Sequence, residues 1–440
     1  MNLRKLVIGS VIFFLFVASK TITSADYLNL PITPYEYNVP LPNFYANNVA
    51  NIDNSPITNP ISNNGATLGR VLFYDKNLSL NRTVSCASCH KQSEGFSDSR
   101  TLSIGFNGGT TDRHGMTILN ARYYQRGRFF WDERAVTLED QVLQPLQNTV
   151  EMGLTAAQIS ERVTEQPYYN QLFINAFGDN TISNDRISKA LAQFVRSIVS
   201  YQSKYDTGRA TVNNPNQAFS NFTIQENQGK QLFFTPIPQG GGGCGGCHGT
   251  EAFVSTRPEN NGIDAISTTD LGVGGASSPI RQNLVGTFKN SSIRNIELSA
   301  PYMHDGRFAT LEQVVEHYNS GIQAHPNLSG ILKDANGDPV KLNFSAAQKN
   351  ALVAFMKTLT DNSVATEVRW SNPFCQTNLS FTGTISSGGF QSSNSIFVQS
   401  TSQILNSSTV NLVSGKSIIL NPSFEAKAGS VFKAQISTCQ

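Results

Sequence analysis

Two pentapeptides carry the most specific chemistry in this chain: Cys86-Ala87-Ser88-Cys89-His90 and Cys244-Gly245-Gly246-Cys247-His248. In a Cys-x-x-Cys-His run the two thiols can add to the two vinyl groups of one porphyrin. The adjoining imidazole then supplies an axial ligand to the iron, which is the attachment pattern of a c-type haem. Two such runs predict two covalently held haems, and hence electron transfer or redox catalysis. The competing arrangement gathers both cysteine pairs into one zinc site. It would leave His90 and His248 without a role in a chain that has only six histidines, so the spacing favours haem.

Each iron would have a proximal histidine and one further axial position, and the occupant of that position separates a carrier from an enzyme. For the second haem, Thr310-x-x-Gln313 reads as a capping box opening a helix. Leu311, Val314, Val315 and Tyr318 fall on one face of it. Tyr318 is thereby a candidate iron ligand. A core aromatic is its plainer role, and Met303 and Met116 are rival ligands. For the first haem, a helix from near Thr137 sets Leu138, Gln141, Val142 and Pro145 on one side, and a break at Pro145 is expected to fold the chain back towards Glu151. A carboxylate beside an open iron can take a proton from hydrogen peroxide and return it to the leaving oxygen, while a neighbouring amide orients the peroxide. Gln141 and Glu151 could equally be surface polar groups. Trp131 could relay electrons between the haems or simply pack.

The elements that must position these residues occur in duplicate. Gly69-Arg70-Val71-Leu72-Phe73-Tyr74 precedes the first haem motif and Gly229-Lys230-Gln231-Leu232-Phe233-Phe234 the second. Glu94-Gly95-Phe96 and Glu251-Ala252-Phe253 follow them, and Asp132-x-Arg134-x-x-Thr137-Leu138-Glu139 matches Asp305-x-Arg307-x-x-Thr310-Leu311-Glu312. The expected fold is mainly α, with two tandem c-type cytochrome domains related by internal duplication. Capping boxes at Thr223, Thr310 and Ser345 open helices, and the run from Ser183 to Tyr205 carries Ile187, Ala190, Leu191, Phe194, Val195 and Ile198 on one face. Residues 375–440 turn rich in Ser, Thr, Asn and Gly, with short apolar alternations at 395–398, 410–412, 417–420 and 431–436. These predict a small all-β C-terminal domain.

The 440 residues divide, on this reading, into a leader at 1–25, a first haem domain at 26–205, a second at 206–367 and the β domain at 368–440. Arg4 and Lys5 followed by the apolar run from Leu6 to Ala18 and small residues before Asp26 read as an export signal, which places the protein in the periplasm or outside the cell. In that setting Cys375 and Cys439 are expected to form a disulfide. A net charge of +2 gives no reason to expect nucleic acid as a partner.

Residues 55–365 resemble the bacterial di-haem cytochrome c peroxidases and their MauG branch of tryptophan-modifying enzymes. The resemblance rests on both haem motifs, Gly69-Arg70-x-Leu72-Phe73-Tyr74, Trp131, the Gln141 and Glu151 pair and Ala300-Pro301-Tyr302-Met303-His304-Asp305-Gly306. It implies that the haem on His90 is peroxidatic and the haem on His248 transfers electrons. Glu151 would be the distal acid and base, assisted by Gln141, with Trp131 between the haems. It also implies a calcium ion held partly by the carbonyls of Ser299 and Pro301, although His114 stands where an asparagine usually helps. Where many of these peroxidases carry a labile distal histidine, this chain has Ser103-Ile104-Gly105-Phe106. Tyr318 stands where they use a methionine, as in the MauG branch. The implied partners are hydrogen peroxide and a small donor, either a c-type cytochrome or a cupredoxin. The second possibility is a protein substrate, and the third is a non-enzymatic electron carrier.

Overall fold

The computed structural model describes residues 21–22, 28–385, 388–400, 402–414 and 416–436. The expected leader, apart from Thr21–Ile22, and Cys439 of the expected disulfide lie outside the described residues. The chain divides into a helical unit, Leu28–Gln376, and a β unit built mainly on Thr377–Thr438.

In the helical unit, helix Asn63–Tyr74 packs along Asn184–Ser197, and helix Ile224–Phe234 packs along Ala346–Lys357. Both contacts are made through a glycine. A Cβ at Gly69 would lie 2.0 Å from the Ala190 carbonyl oxygen, and one at Gly229 would lie 1.8 Å from that of Ala351. Side chains flanking these crossings build two separate cores. Leu72, Phe73, Leu191 and Phe194 belong to the first, and Phe233, Phe253, Leu352 and Phe355 to the second. Thr223, Thr310 and Ser345 each close a capping box with Glu226, Gln313 and Gln348, so the expected helix starts form.

Two expectations are corrected. The helix expected to run from Ser183 to Tyr205 ends at Ser197. The following segment leaves the helix because other groups take its backbone donors: Asn120 Oδ1 accepts from Ser200, and Asp361 Oδ2 accepts from Tyr201 and Gln202. Ser203 then caps a new helix, Lys204–Arg209. Nor does Pro145 break its helix, which runs from Leu138 to Gln147. Pro145 lies in the last turn, so it removes one intrahelical bond without ending the element. The chain reverses at Asn148, whose Oδ1 accepts from Val150 and Glu151, and at Gly153 with φ of 75°.

The β unit forms the expected strands within Gly388–Val398, Thr409–Ser414, Ser417–Leu420 and Val431–Ile436. Its pairings are parallel, and most advance by one constant interval of 22 residues, as in Gly388 with Val410, Ser395 with Ser417, Gln403 with Glu425 and Thr409 with Val431. A constant parallel offset is the geometry of a small solenoid. Phe381, Phe390, Ile396, Val398, Ile404, Val410 and Leu412 fill its interior.

Candidate active site

Each Cys-x-x-Cys-His run folds as a short 3-10 turn, at Cys86–Ser88 and Cys244–Gly246. Each motif histidine is then oriented the same way. His90 Nδ1 lies 3.2 Å from the Phe96 carbonyl, and His248 Nδ1 lies 3.1 Å from that of Phe253. With Nδ1 as the donor, Nε2 is left free to ligate, which is how proteins usually fix a metal-bound imidazole. None of the four motif cysteines is paired in a disulfide. Burial pushes Cys86 and Cys244 up to about 12 and Cys89 and Cys247 up to about 11. The two pairs do not converge, and among the described residues there is no cluster of three or more His, Cys, Asp or Glu side chains able to hold a metal. The four-cysteine zinc arrangement therefore has no structural basis, whereas neutral thiols beside an oriented imidazole fit thioether-linked haem at both places.

At the second motif the fit extends to the walls. Cys244, Cys247 and His248 open into a cavity of about 220 Å³. Leu311, Val314, Val315 and Tyr318 line it, as do Met303, Leu352 and Met356. Helix Leu311–Glu316 continues into a π-helical turn, His317–Gly321, which carries Tyr318; such turns recur at functional sites. Burial pushes the Tyr318 phenol up to about 12, and a hydrogen bond from Asn261 pulls in the opposite direction. Of the two rival methionines, Met303 shares this cavity. Met116 does not line it.

At the first motif, the Ser103–Phe106 stretch lies against the loop that bears Glu151. The Phe106 amide donates to the Glu151 carbonyl at 3.0 Å. A Cβ on Gly105 would lie 1.7 Å from the Val150 carbonyl oxygen, and one on Gly153 would lie 2.5 Å from the Phe106 ring. The Glu151 carboxyl is close enough to act electrostatically on both Cys86 and Cys89. Burial raises its own pKa, with Arg134 opposing and Asp112 reinforcing the shift. Gln141 is half-buried on the neighbouring helix, and no hydrogen bond ties its side chain to Glu151.

Trp131 lines the second cavity while its indole Nε1 donates to the His114 carbonyl at 2.9 Å. His114 is buried, with Nδ1 3.1 Å from the Arg100 carbonyl and Nε2 3.3 Å from Ser97 Oγ. Its ring nitrogens are thus committed to protein groups, and it offers no side-chain oxygen of the kind the resemblance implies for calcium. Sequence reasoning missed Arg113, which bridges Asp132 and Asp270 at 2.7 Å each. It also missed Lys289, which lies over the rings of Tyr124 and Phe129 and is pushed down to about 7 by desolvation. It missed Asn261 as well, whose only sequence signal is the Asn260-Asn261-Gly262 turn.

Residues 63–212 match the family model for di-haem cytochrome c peroxidase. The methylamine utilization protein MauG of Methylophilus methylotrophus is 32% identical over 306 residues, covering 69% of this chain and 85% of that protein. The chain belongs to the di-haem cytochrome c peroxidase family. Within it, the MauG-like branch is the better match. Cytochrome c551 peroxidase of Nitrosomonas europaea is 32% identical over 299 residues, 67% of this chain and 79% of that protein. A solved MauG-like protein associated with microbial copper homeostasis is 32% identical with a TM-score of 0.64, covering 77% of this chain and 99% of that one. Family membership makes this di-haem peroxidase homologue a haem-dependent oxidoreductase of the peroxide-acting kind.

Proposed function

We propose that the protein reduces hydrogen peroxide at the haem on His90, using electrons that a small c-type cytochrome or cupredoxin delivers to the haem on His248. The observation that carries this reading is the asymmetry of the two motifs. His248 opens into a cavity shared with Tyr318, whereas the first motif lies within electrostatic reach of the half-buried Glu151 carboxyl, whose loop packs against Phe106. Bound haem would supply the redox-active iron. Glu151 would accept a proton from one peroxide oxygen and return it to the other as it leaves. Two electrons and two protons then convert one peroxide into two waters. Gln141 would orient the peroxide, Trp131 would lie on the electron path, and Tyr318 would be the far axial ligand of the second haem.

The tandem-cytochrome reading draws support from matched backbone features. Phe130 and Met303 both have positive φ, 65° and 77°, and the bridges Phe129–Ala135 and Tyr302–Phe308 have the same spacing. We place the boundary between the haem domains near residue 205 and the protein in the periplasm or outside the cell.

The second reading is oxidation of residues on a partner protein, with both haems storing oxidising equivalents. Tyr318 in the cavity and the MauG relative favour it. A non-enzymatic carrier would have no use for a half-buried carboxyl beside the first motif. Peroxide added to the purified protein with and without reduced cytochrome c separates these readings. Rapid cytochrome oxidation supports the peroxidase. A long-lived oxidised protein that leaves cytochrome untouched supports the partner-oxidising reading. No reaction with peroxide overturns both.

A further inference from the structure

Asn261 lines the second cavity together with Met303 and Tyr318, the two candidate ligands for the position opposite His248. The orientation of its amide is fixed. Asn261 Oδ1 accepts the backbone N–H of Ile263 at 3.3 Å, which leaves Nδ2 to carry its hydrogens into the cavity. There Nδ2 lies 3.4 Å from Met303 Sδ, and Tyr318 lines the same cavity. The backbone is pinned as well: the Asn261 carbonyl accepts from His317 Nε2 at 3.0 Å, and Gly262 donates to Asn260 Oδ1 at 2.8 Å. His317 neighbours Tyr318 on the π-helical turn, so one loop residue is tied to the turn that presents the tyrosine and to the sulfur of its rival.

We propose that Asn261 selects the axial ligand of the second haem, holding the Met303 thioether away from the iron so that the turn bearing Tyr318 supplies the ligand instead. The two contacts act in the same direction, Nδ2 on the Met303 sulfur and the Asn261 carbonyl on His317 of the turn that presents Tyr318. A donor on Met303 Sδ engages an electron pair of a weak, neutral ligand and tethers the sulfur to the loop. Hydrogen bonds from outside the coordination shell commonly tune haem ligation and potential in this way. The inference rests on the reading that Tyr318 is the ligand.

The test uses the ferric di-haem protein, with haem content measured for every variant. Asn261→Leu removes the donor. It is expected to weaken the phenolate-to-iron charge-transfer band, to bring in a sulfur-to-iron band and to raise the midpoint potential of the second haem. Adding Met303→Leu to that variant should abolish the sulfur band. Asn261→Asp keeps the Oδ1 acceptor that holds the turn and removes both donors. It should shift the spectrum in the same direction, and it decides the matter if the leucine variant does not assemble. If the Asn261 variants carry both haems with wild-type bands and potential while Tyr318→Phe alters them, selection by Asn261 is wrong and ligation by Tyr318 stands. If Tyr318→Phe leaves the second haem unchanged, the ligation reading falls and takes this proposal with it.

Discussion

Trp131 and His304 meet edge to face, with ring centroids 6.4 Å apart and planes at 71°. Each follows a residue of positive φ and precedes an Asp-x-Arg block, so two matched turns are pressed together at these rings. The indole N–H is tied to the His114 carbonyl, and the Trp131 carbonyl accepts from Lys289 at 2.8 Å.

Trp131→Phe keeps the apolar ring but loses the N–H and a readily oxidised indole. Electron exchange between the haems should slow while the separate haem spectra stay as they are, as followed by stopped-flow reduction. Stability should fall by about 1 kcal/mol, because the His114 carbonyl loses its donor. Unchanged exchange would remove Trp131 from the path.

Glu151→Gln is expected to retain both haems and to lose peroxide turnover by roughly 10²–10⁴-fold, the usual worth of a positioned acid or base. The carboxyl must be ionised to accept the peroxide proton. Burial raises its pKa, so the protonated, inactive form persists to higher pH than for an ordinary glutamate. The rate of reaction with peroxide should therefore rise with pH through a midpoint above the ordinary glutamate range, and this limb should vanish in Glu151→Gln. A variant that keeps both its turnover and its pH limb would exclude Glu151 from the mechanism.

Phe106 gives a spectroscopic expectation. Its ring packs on Gly153 and its amide is bonded to Glu151, so the stretch that could have carried a distal histidine offers no ligand. In the resting ferric protein the haem on His90 should be high-spin and the haem on His248 low-spin, and peroxide should react without prior reduction. Electron paramagnetic resonance showing both haems six-coordinate and low-spin would contradict this.

Local signals in the sequence were enough to locate what depends on neighbours in the chain. The haem motifs, the capping boxes at Thr223, Thr310 and Ser345, and the apolar stripe that brings Tyr318 to the cavity all follow from spacing. Features set by distant partners were not legible in this way. The helix after Asn184 stops at Ser197 because Asn120 and Asp361 take the next backbone donors. Asn261 gains its place only when the 260–262 turn folds beside Met303 and Tyr318. The β unit shows an intermediate case, since its strands were visible as alternations while their parallel pairing depends on a 22-residue offset that alternation does not encode.

The two glycine crossings give the sharpest test of how the helical unit is held together. At Gly69 and Gly229 a methyl group would meet a backbone carbonyl oxygen at 2.0 and 1.8 Å, and backbone cannot swing aside as a flexible side chain can. The helices would have to separate, opening both the Leu72–Phe194 core and the Phe233–Phe355 core. Gly69→Ala and Gly229→Ala should each cost about 1–3 kcal/mol or more, the range for overpacking a filled core, despite the better helix propensity of alanine. Gly330 has no atom within 4 Å of the same position and no positive φ, so Gly330→Ala should leave stability near the wild-type value. Thermal unfolding of the three variants checks this directly. If Gly69→Ala and Gly229→Ala melt with Gly330→Ala, the close helix contacts are not what fixes the two pairs.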